Sequence, residues 1–470
     1  MLRRIGMILD APFPPDARVE SEAKVLMDDG YEVHLLHIDF SQHQKYRSDE
    51  AAMGYMAGQQ AVGASRKSGR EPEADATTEK RIAFVREMEI DSFKGIHVWR
   101  LRGGMVAYKL SALAADLPFY RWWAAPLIRR FLKASRVDAI HVHDMAIAEA
   151  ALAANRRARL PLVLDLHEDR PEIMKLYRHV NRWPGRLLIS TGRWRRKQQE
   201  LMRRADHVIL VTEQARRVAE RRDGIPSEKT TALPNVVWSD YGGELSFSNR
   251  TGGGEPAPEA LSLQDRNEGV HSDTDPGSPL LQADSEFRLL YVGDTSLRRG
   301  TLMALEAVKR LRGQIFGLHL VLVGSSSQDD QLRAFVNKHG LGQIVRFEGW
   351  QPSERLPDYI RAADLCLSPL LRNSHHDTTY PNKLFQYMAM GRPVVVSDCP
   401  AQAAVVEEEM CGRVHTAGEP EALATAILEL WKRPEERRRM GGRGAAAVEN
   451  RWNWTVTAPR LTGLYGKLGL

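Results

Sequence analysis

Short continuous apolar runs alternate along this chain with longer stretches whose apolar residues recur at helical spacing. In the first half the strands expected, several with a polar residue inside the apolar stretch, are Arg4 to Leu9, Tyr31 to Ile38, Ile96 to Leu101, Val137 to His143, Leu162 to Leu166 and Ala205 to Thr212. In the second half they are Phe287 to Gly293, Leu318 to Gly324, Ile344 to Gly349, Leu365 to Pro369, Val394 to Val396 and Met410 to His415. A run with no polar alternation suits a strand covered on both faces, as in a parallel sheet between helices. Helices are predicted between the runs. One carries Glu22, Val25, Leu26 and Met27 and stops at Gly30; others cover Phe119 to Arg136, Arg182 to Arg204, a start at Glu213 and Gln214, Thr301 to Arg310, Pro352 to Ala363, Lys383 to Met390 and Glu421 to Trp431. A strand is also expected at Arg81 to Arg86. The β-loop-α-β opening occurs twice, at the N-terminus and again at Phe287, which predicts an α/β chain of two doubly wound, Rossmann-like domains.

Two stretches break the pattern. Residues 41–80 are polar without periodicity and read as a flexible insertion. Residues 240–285, with TGGGEPAPE and SDTDPGSP, have the composition of a linker. The organisation expected is a first domain over 1–238, a disordered linker over 239–285, a second domain over 286–452 and a terminal helix over 453–470.

A chain of 470 residues, 43% hydrophobic, has ample material for two such cores. The net charge of +6 and pI near 9.1 point to an anionic partner: a nucleotide phosphate, a membrane surface or nucleic acid. Nucleic acid is set aside for want of a recognised binding module. Cys366, Cys399 and Cys411 have neither metal nor disulfide spacing, which suits a reduced, cytoplasmic setting. No stretch stays apolar for the ~20 residues a membrane crossing needs. The opening MLRRIGMILDAP mimics a signal peptide, but Asp10 interrupts it, and a first strand is the reading preferred.

Candidate chemistry collects at strand ends. Tyr380 to Asp398, YPNKLFQYMAMGRPVVVSD, predicts a helix capped by Asn382, ended at Gly391 and Pro393, then a buried strand. Its start, with Lys383, is a potential anion site. His141 and His143 share one strand face; Asp144 follows, and His167, Glu168 and Asp169 end the next strand, so that these side chains would converge on one crevice. His141 by itself reads as a core histidine. Asp16 and Arg18 mark the first loop; a capping Asp16 with a surface Arg18 is an equal reading. The loop carrying His375, His376 and Asp377 is weak evidence for metal, and no metal ligand is assigned. Residues 119–136 and 182–204 pair tryptophans with arginines, which suits helices on an anionic membrane; apolar stripes turned into a core are the alternative.

The segment PNKLFQYMAMGRPVVVSD resembles the donor-site motif of the family 4 retaining glycosyltransferases, whose fold is GT-B: two doubly wound domains facing across a cleft. LPNVV at Leu233 to Val237 resembles the exit from the first domain, and RWNWT the start of a terminal helix that crosses back to it. The family usually has Glu at Gln386, often Glu at Thr378, an Arg at Asp294, and a Gly-rich turn where Pro12, Pro14 and Pro15 stand. The resemblance implies transfer of a sugar from a nucleotide-sugar donor, with retention, to a glycan or lipid-linked acceptor in envelope or extracellular polysaccharide synthesis. It implies His167 against the transferred sugar, as the catalytic-centre residue. It places Gly293, Arg299, Asn382, Lys383 and Gln386 on the donor and Asp16, Arg18, His143, Asp144 and Glu168 on the acceptor side. No metal cofactor is implied, and the setting is cytoplasmic or peripheral on the inner membrane face. The departures leave a non-catalytic nucleotide-sugar-binding scaffold, or an epimerase of the same fold, as alternatives.

Overall fold

The computed structural model describes residues 3–14, 16–40, 88–175, 180, 183, 189–243 and 286–470. The expected insertion at 41–80, the strand at Arg81 to Arg86 and nearly all of the linker lie outside the described residues.

The strands are β1 (Arg4–Leu9), β2 (Glu32–Asp39), β3 (Glu89–Phe93), β4 (Ile96–Arg102), β5 (Ala139–His143), β6 (Leu162–Leu166), β7 (His207–Leu210), β8 (Thr230–Ala232), β9 (Phe287–Val292), β10 (Leu318–Val323), β11 (Val345–Gly349), β12 (Leu365–Ser368), β13 (Val394–Ser397) and β14 (Gly412–His415). Helices of the first half are α1 (Ala17–Asp28), α2 (Met105–Ser111), α3 (Phe119–Ser135), α4 (Met145–Asn155), α5 (Arg170–Met174), α6 (Thr191–Arg204) and α7 (Glu213–Asp223). Those of the second half are α8 (Thr301–Leu311), α9 (Asp329–Lys338), α10 (Leu356–Arg361), α11 (Asn382–Ala389), α12 (Pro400–Glu408), α13 (Pro420–Trp431), α14 (Pro434–Asn450) and α15 (Trp454–Lys467).

Two sheets form. The first has order β3-β4-β2-β1-β5-β6-β7-β8 and the second β11-β10-β9-β12-β13-β14. Every pairing is parallel except β3 with β4. Strand order reverses between β1 and β5 in one sheet and between β9 and β12 in the other. At such a switch point neighbouring loops part and leave a crevice beyond the strands' carboxyl ends. In the second sheet the loops also meet closely: a Cβ on Gly300, at φ +79°, would stand 1.7 Å from the carbonyl oxygen of Pro369. Only glycine fits there.

The two halves share an apolar cluster from Ile5 and Val19 through Val237 and Trp454 to Phe385 and Val394. Helix α14 packs on α11, and α15 packs on α1. The Trp454 N–H donates to the Val237 carbonyl at 3.0 Å, so the terminal helix starts against the exit from the first sheet.

Three expectations need correction. The run at Ile96 has an antiparallel partner, β3, that its exposed polar sequence EIDSF does not announce. The helix expected over Pro352 to Ala363 is a 3-10 turn, Ser353–Arg355, followed by α10. The two basic, tryptophan-bearing stretches are not surface helices throughout. Trp123, Phe131 and Leu132 of α3 are buried, while Phe119 and Trp122 remain 46% and 59% exposed. In the second stretch the helix begins at Thr191. Trp194 is in the core, and its indole N–H donates to Asp116 Oδ2 at 2.8 Å. Burial of a large apolar ring whose N–H finds an acceptor outweighs its arginine neighbours. Trp183 stays 81% exposed.

Candidate functional site

The segment around α11 builds the donor side. Pro381, extended at φ −72° and ψ 127°, occupies the cap position, and Asn382 is the first helical residue, not the cap. Proline's fixed φ turns the chain one residue earlier than the asparagine pattern suggests. The exposed Asn382 side chain instead accepts from Asn235 Nδ2 at 3.2 Å, across the two halves. Lys383 is buried, its ammonium 3.5 Å from the centroid of the Tyr291 ring and without a hydrogen bond among the described residues. A Cβ on Gly293, at φ +116°, would come within 3.4 Å of that nitrogen, so the glycine keeps the approach open. Burial first, and then the repulsion of Arg299, pushes the Lys383 ammonium well below its ordinary pKa. Gln386 is half-buried one turn further along the helix.

Asp294, where the family usually has a cation, organises the loop before α8. It accepts from the Ser296 backbone N–H at 2.9 Å and from Arg298 Nη2 at 2.9 Å, and lies 3.6 Å from Arg299 Nε. The aspartate thus holds two arginines beside Lys383. His375 and His376 are buried against the same cations; burial, then Arg299, drives His375 well below its usual range and His376 to about 3. Neutral imidazoles therefore line the cationic loop. Thr378 turns its carbonyl to the first half and accepts from Thr212 Oγ1 at 2.5 Å.

Opposite lie the ends of β5 and β6. Asp16 caps α1 by accepting from the backbone N–H groups of Arg18 and Val19, both at 3.1 Å. Arg18 is not a surface residue. It is buried, with Nε and Nη2 on the two oxygens of Asp165 at 3.0 and 2.9 Å, Nη1 on the Leu233 carbonyl at 3.0 Å and Nη2 2.9 Å from Glu22. An arginine fork suits bidentate pairing, and that pairing draws the charge inward. His141 and His143 stack with centroids 4.6 Å apart, both fully buried, and His141 Nδ1 lies 2.8 Å from the Tyr465 hydroxyl of α15. His167 follows, with Nε2 2.9 Å from Asp165 Oδ2 and its backbone N–H donating to Asp144 Oδ1 at 3.3 Å. Asp144 takes φ +64° where β5 turns into α4.

The electrostatics follow from this packing. Against the burial that would raise it, Arg18 and then His167 hold the Asp165 carboxyl well below the usual range. Burial pushes Glu22 well up, Arg18 notwithstanding. Burial would lower His167 too, but Asp165 and Asp144 outweigh it and raise the ring to about 10. Burial lowers His143 to about 3. Burial raises Glu168 above the usual carboxylate range, against Arg170 and against Arg299 of the other half. Arg299 thus acts on the charge of Glu168 from the other half of the chain.

Glu22, His141, His143 and Asp165 offer ligand atoms within 4.8 Å of one another, close enough for a metal ion. The guanidinium of Arg18 already engages both carboxylates, and Asp165 Oδ2 takes His167 besides. The sequence reading passed over Asp165, Glu22 and Tyr465. Asp165 had a signal, a lone carboxylate inside the apolar run LVLDL; Tyr465 had none, because its partner lies 324 residues away.

Residues 286–433 match the family described as glycosyl transferases group 1, and residues 95–240 match Glycosyltransferase Family 4. The alpha-D-kanosaminyltransferase of Streptomyces kanamyceticus is 22% identical over 334 residues, 70% of this chain and 78% of that protein. The lipopolysaccharide core biosynthesis glycosyltransferase LpsD of Rhizobium meliloti is 26% identical over 183 residues, 38% of this chain and 50% of that one. The structure of Anabaena HepE in complex with UDP is similar in fold, with a TM-score of 0.62 at 15% identity over 99% of this chain and 100% of that one.

Proposed function

The chain belongs to the family 4 glycosyltransferases and has the GT-B fold, and from that premise we propose that it moves a sugar from a nucleotide-sugar donor, with retention at the anomeric carbon, to a glycan or lipid-linked acceptor of polysaccharide synthesis. The observation that carries the donor reading is Lys383: a buried ammonium without a hydrogen bond among the described residues, at a helix start, facing a glycine and flanked by Arg299. In the transfer the bond from the anomeric carbon to the diphosphate oxygen breaks, and a bond from that carbon to the acceptor oxygen forms on the same face. The hydroxyl proton passes to a diphosphate oxygen. Negative charge grows on the departing nucleoside diphosphate, where Lys383, Arg299 and the first N–H groups of α11 would meet it without a metal. His167 stands on the sugar side, with Asp144 and Glu168 beside it toward the acceptor. Arg18 and His143 support His167 from beneath, and Asp16 is a helix cap. UDP in the Anabaena complex and the lipopolysaccharide core role of the Rhizobium relative support the donor class and the glycan context.

The test is thermal stabilisation by UDP-, GDP-, ADP- and dTDP-sugars, followed by product analysis with the donor that binds. A ligand at 100 times its Kd adds about 2.7 kcal/mol. Lys383→Ala should weaken nucleoside diphosphate binding by roughly 1–3 kcal/mol, the scale of lost charge-assisted hydrogen bonds. Parent-like affinity in that variant, measured by calorimetry, would remove the donor site from this helix.

Membrane association is the second part of the reading. It rests on α3, whose exposed face carries Phe119, Trp122 and Pro126 followed by Arg129, Arg130 and Lys133, with Arg136 exposed just past its end. These four cations form no ion pair among the described residues. Among those residues no helix is long and apolar enough to cross a membrane. An aromatic end followed by a cationic end fits the surface of an anionic bilayer.

A further inference from the structure

His167 lies between two carboxylates. Its Nε2 is 2.9 Å from Asp165 Oδ2, and its Nδ1 is 3.9 Å from Asp144 Oδ2. The 2.9 Å contact is a hydrogen bond in which Nε2–H donates to Asp165. The 3.9 Å approach to Asp144 is charge proximity, and two carboxylates within about 4 Å of one ring favour its doubly protonated, cationic form. The second neighbour of Nε2 is His143 Nδ1, at 3.2 Å, a ring that burial keeps neutral and that therefore adds no competing charge. Asp165 is itself immobilised, since Arg18 grips both of its oxygens while also holding the Leu233 carbonyl. The carboxylate is thus fixed in plane as well as in charge.

We propose that Asp165 is a positioning residue for His167: it holds the ring as a doubly protonated donor, so that the sugar side of the cleft meets a cationic N–H and not an imidazole lone pair. This rests on the placement of His167 against the transferred sugar. It has a mechanistic consequence. A ring without a lone pair takes no proton from the acceptor hydroxyl, which leaves a diphosphate oxygen of the donor as the acceptor of that proton. Other titratable groups face the ring from every side. They are Arg18 and Glu22 on α1, His141 and His143 on β5, Asp144 after β5 and Glu168 after β6; Arg299 of the other half acts on Glu168, and the Tyr465 hydroxyl of α15 lies behind His141. Arg18 opposes the charge on His167, and the two aspartates outweigh it.

The experiment is a histidine-selective NMR titration of the full chain without substrate, with His167→Gln used for assignment. In the parent the His167 ring should stay doubly protonated through pH 8. In Asp165→Asn its midpoint should fall by roughly 1–3 pH units, the effect of an opposite charge at contact distance. In transfer assays with the donor found above, kcat of Asp165→Asn should be depressed at pH 8 and recover toward parent at pH 6, with the nucleotide Kd unchanged. A parent ring titrating near the ordinary 6.5 overturns the proposal, and so does a loss of kcat equal at every pH. Should Asp165→Asn fail to fold, Asp144→Asn removes the partly exposed flank and should lower the midpoint by a smaller amount; no change there also counts against it. If the parent transfers no sugar, the functional reading fails, while the titration still decides the Asp165–His167 pairing.

Discussion

At the residue scale, burial changes what familiar side chains do. Arg18 and Asp165 would read as surface charges from their types, yet each is the other's counterion inside the first half. Taking one partner from such a pair leaves an uncompensated buried charge, so the pair persists as a unit. Their neighbour His167 carries the pH dependence. Its folded pKa, about 10, lies above the ordinary value, so the folded state binds its proton more tightly than the unfolded chain does. That contribution is full below the unfolded value near 6.5 and is lost as pH rises through about 10. Chemical denaturation should therefore show stability falling from pH 7 to 10, and falling less steeply in His167→Gln. Asp165 acts at the other end: its depressed pKa gives stability present above the unfolded value and lost as the medium turns more acid than its folded value. Equal slopes in parent and His167→Gln would place the alkaline loss elsewhere.

At the scale of elements, the helix–strand unit α11–β13 is legible because every local rule agrees in it. Leu384, Phe385, Tyr387 and Met388 are buried on one helix face, Gly391 takes φ +64°, and Val394, Val395 and Val396 are fully buried. The terminal helix is legible as a helix, but not for what it touches. Tyr465 reaches from α15 into the histidine stack of β5, which ties the last element of the chain to the site in the first half. Tyr465→Phe removes the hydroxyl and leaves His141 Nδ1 buried without a partner. That should cost about 1–3 kcal/mol in urea denaturation. A stability within error of the parent would mean that this hydrogen bond contributes nothing net.

At the scale of the whole molecule, the basic balance of the sequence, +6, collects partly on one outer face. Phe119 and Trp122 lead, and the arginines and lysine of α3 follow, whereas the arginines of α6 and α7 largely pair with acidic neighbours. Binding to vesicles containing anionic lipid should be measurable, weaken as salt rises, and drop several-fold when Arg129, Arg130 and Lys133 are changed to Gln together. Co-sedimentation is the readout. Binding of equal strength to neutral vesicles, or an unchanged triple variant, would turn attention away from α3.

Most of the parallel strands, the two doubly wound halves, the strand-end histidines and the lysine at the start of α11 were determined by the sequence alone. Continuous apolar runs, helical spacing and glycine breaks are local signals, and each is complete within a few residues. What only the tertiary structure decided is charge and company. Arg18 turned inward because Asp165 waits 147 residues away, a pairing that no local pattern encodes; its i+4 neighbour Glu22 on the same helix then joins the buried pair. Trp194 entered the core because Asp116, from another loop, accepts its N–H. Asn382 lost the cap to Pro381 and bridges the two halves instead. The protonation of His167 belongs here as well: it is the sum of two carboxylates, a guanidinium and the loss of water around them, brought together by three separate elements of the fold, α1, β5 and β6.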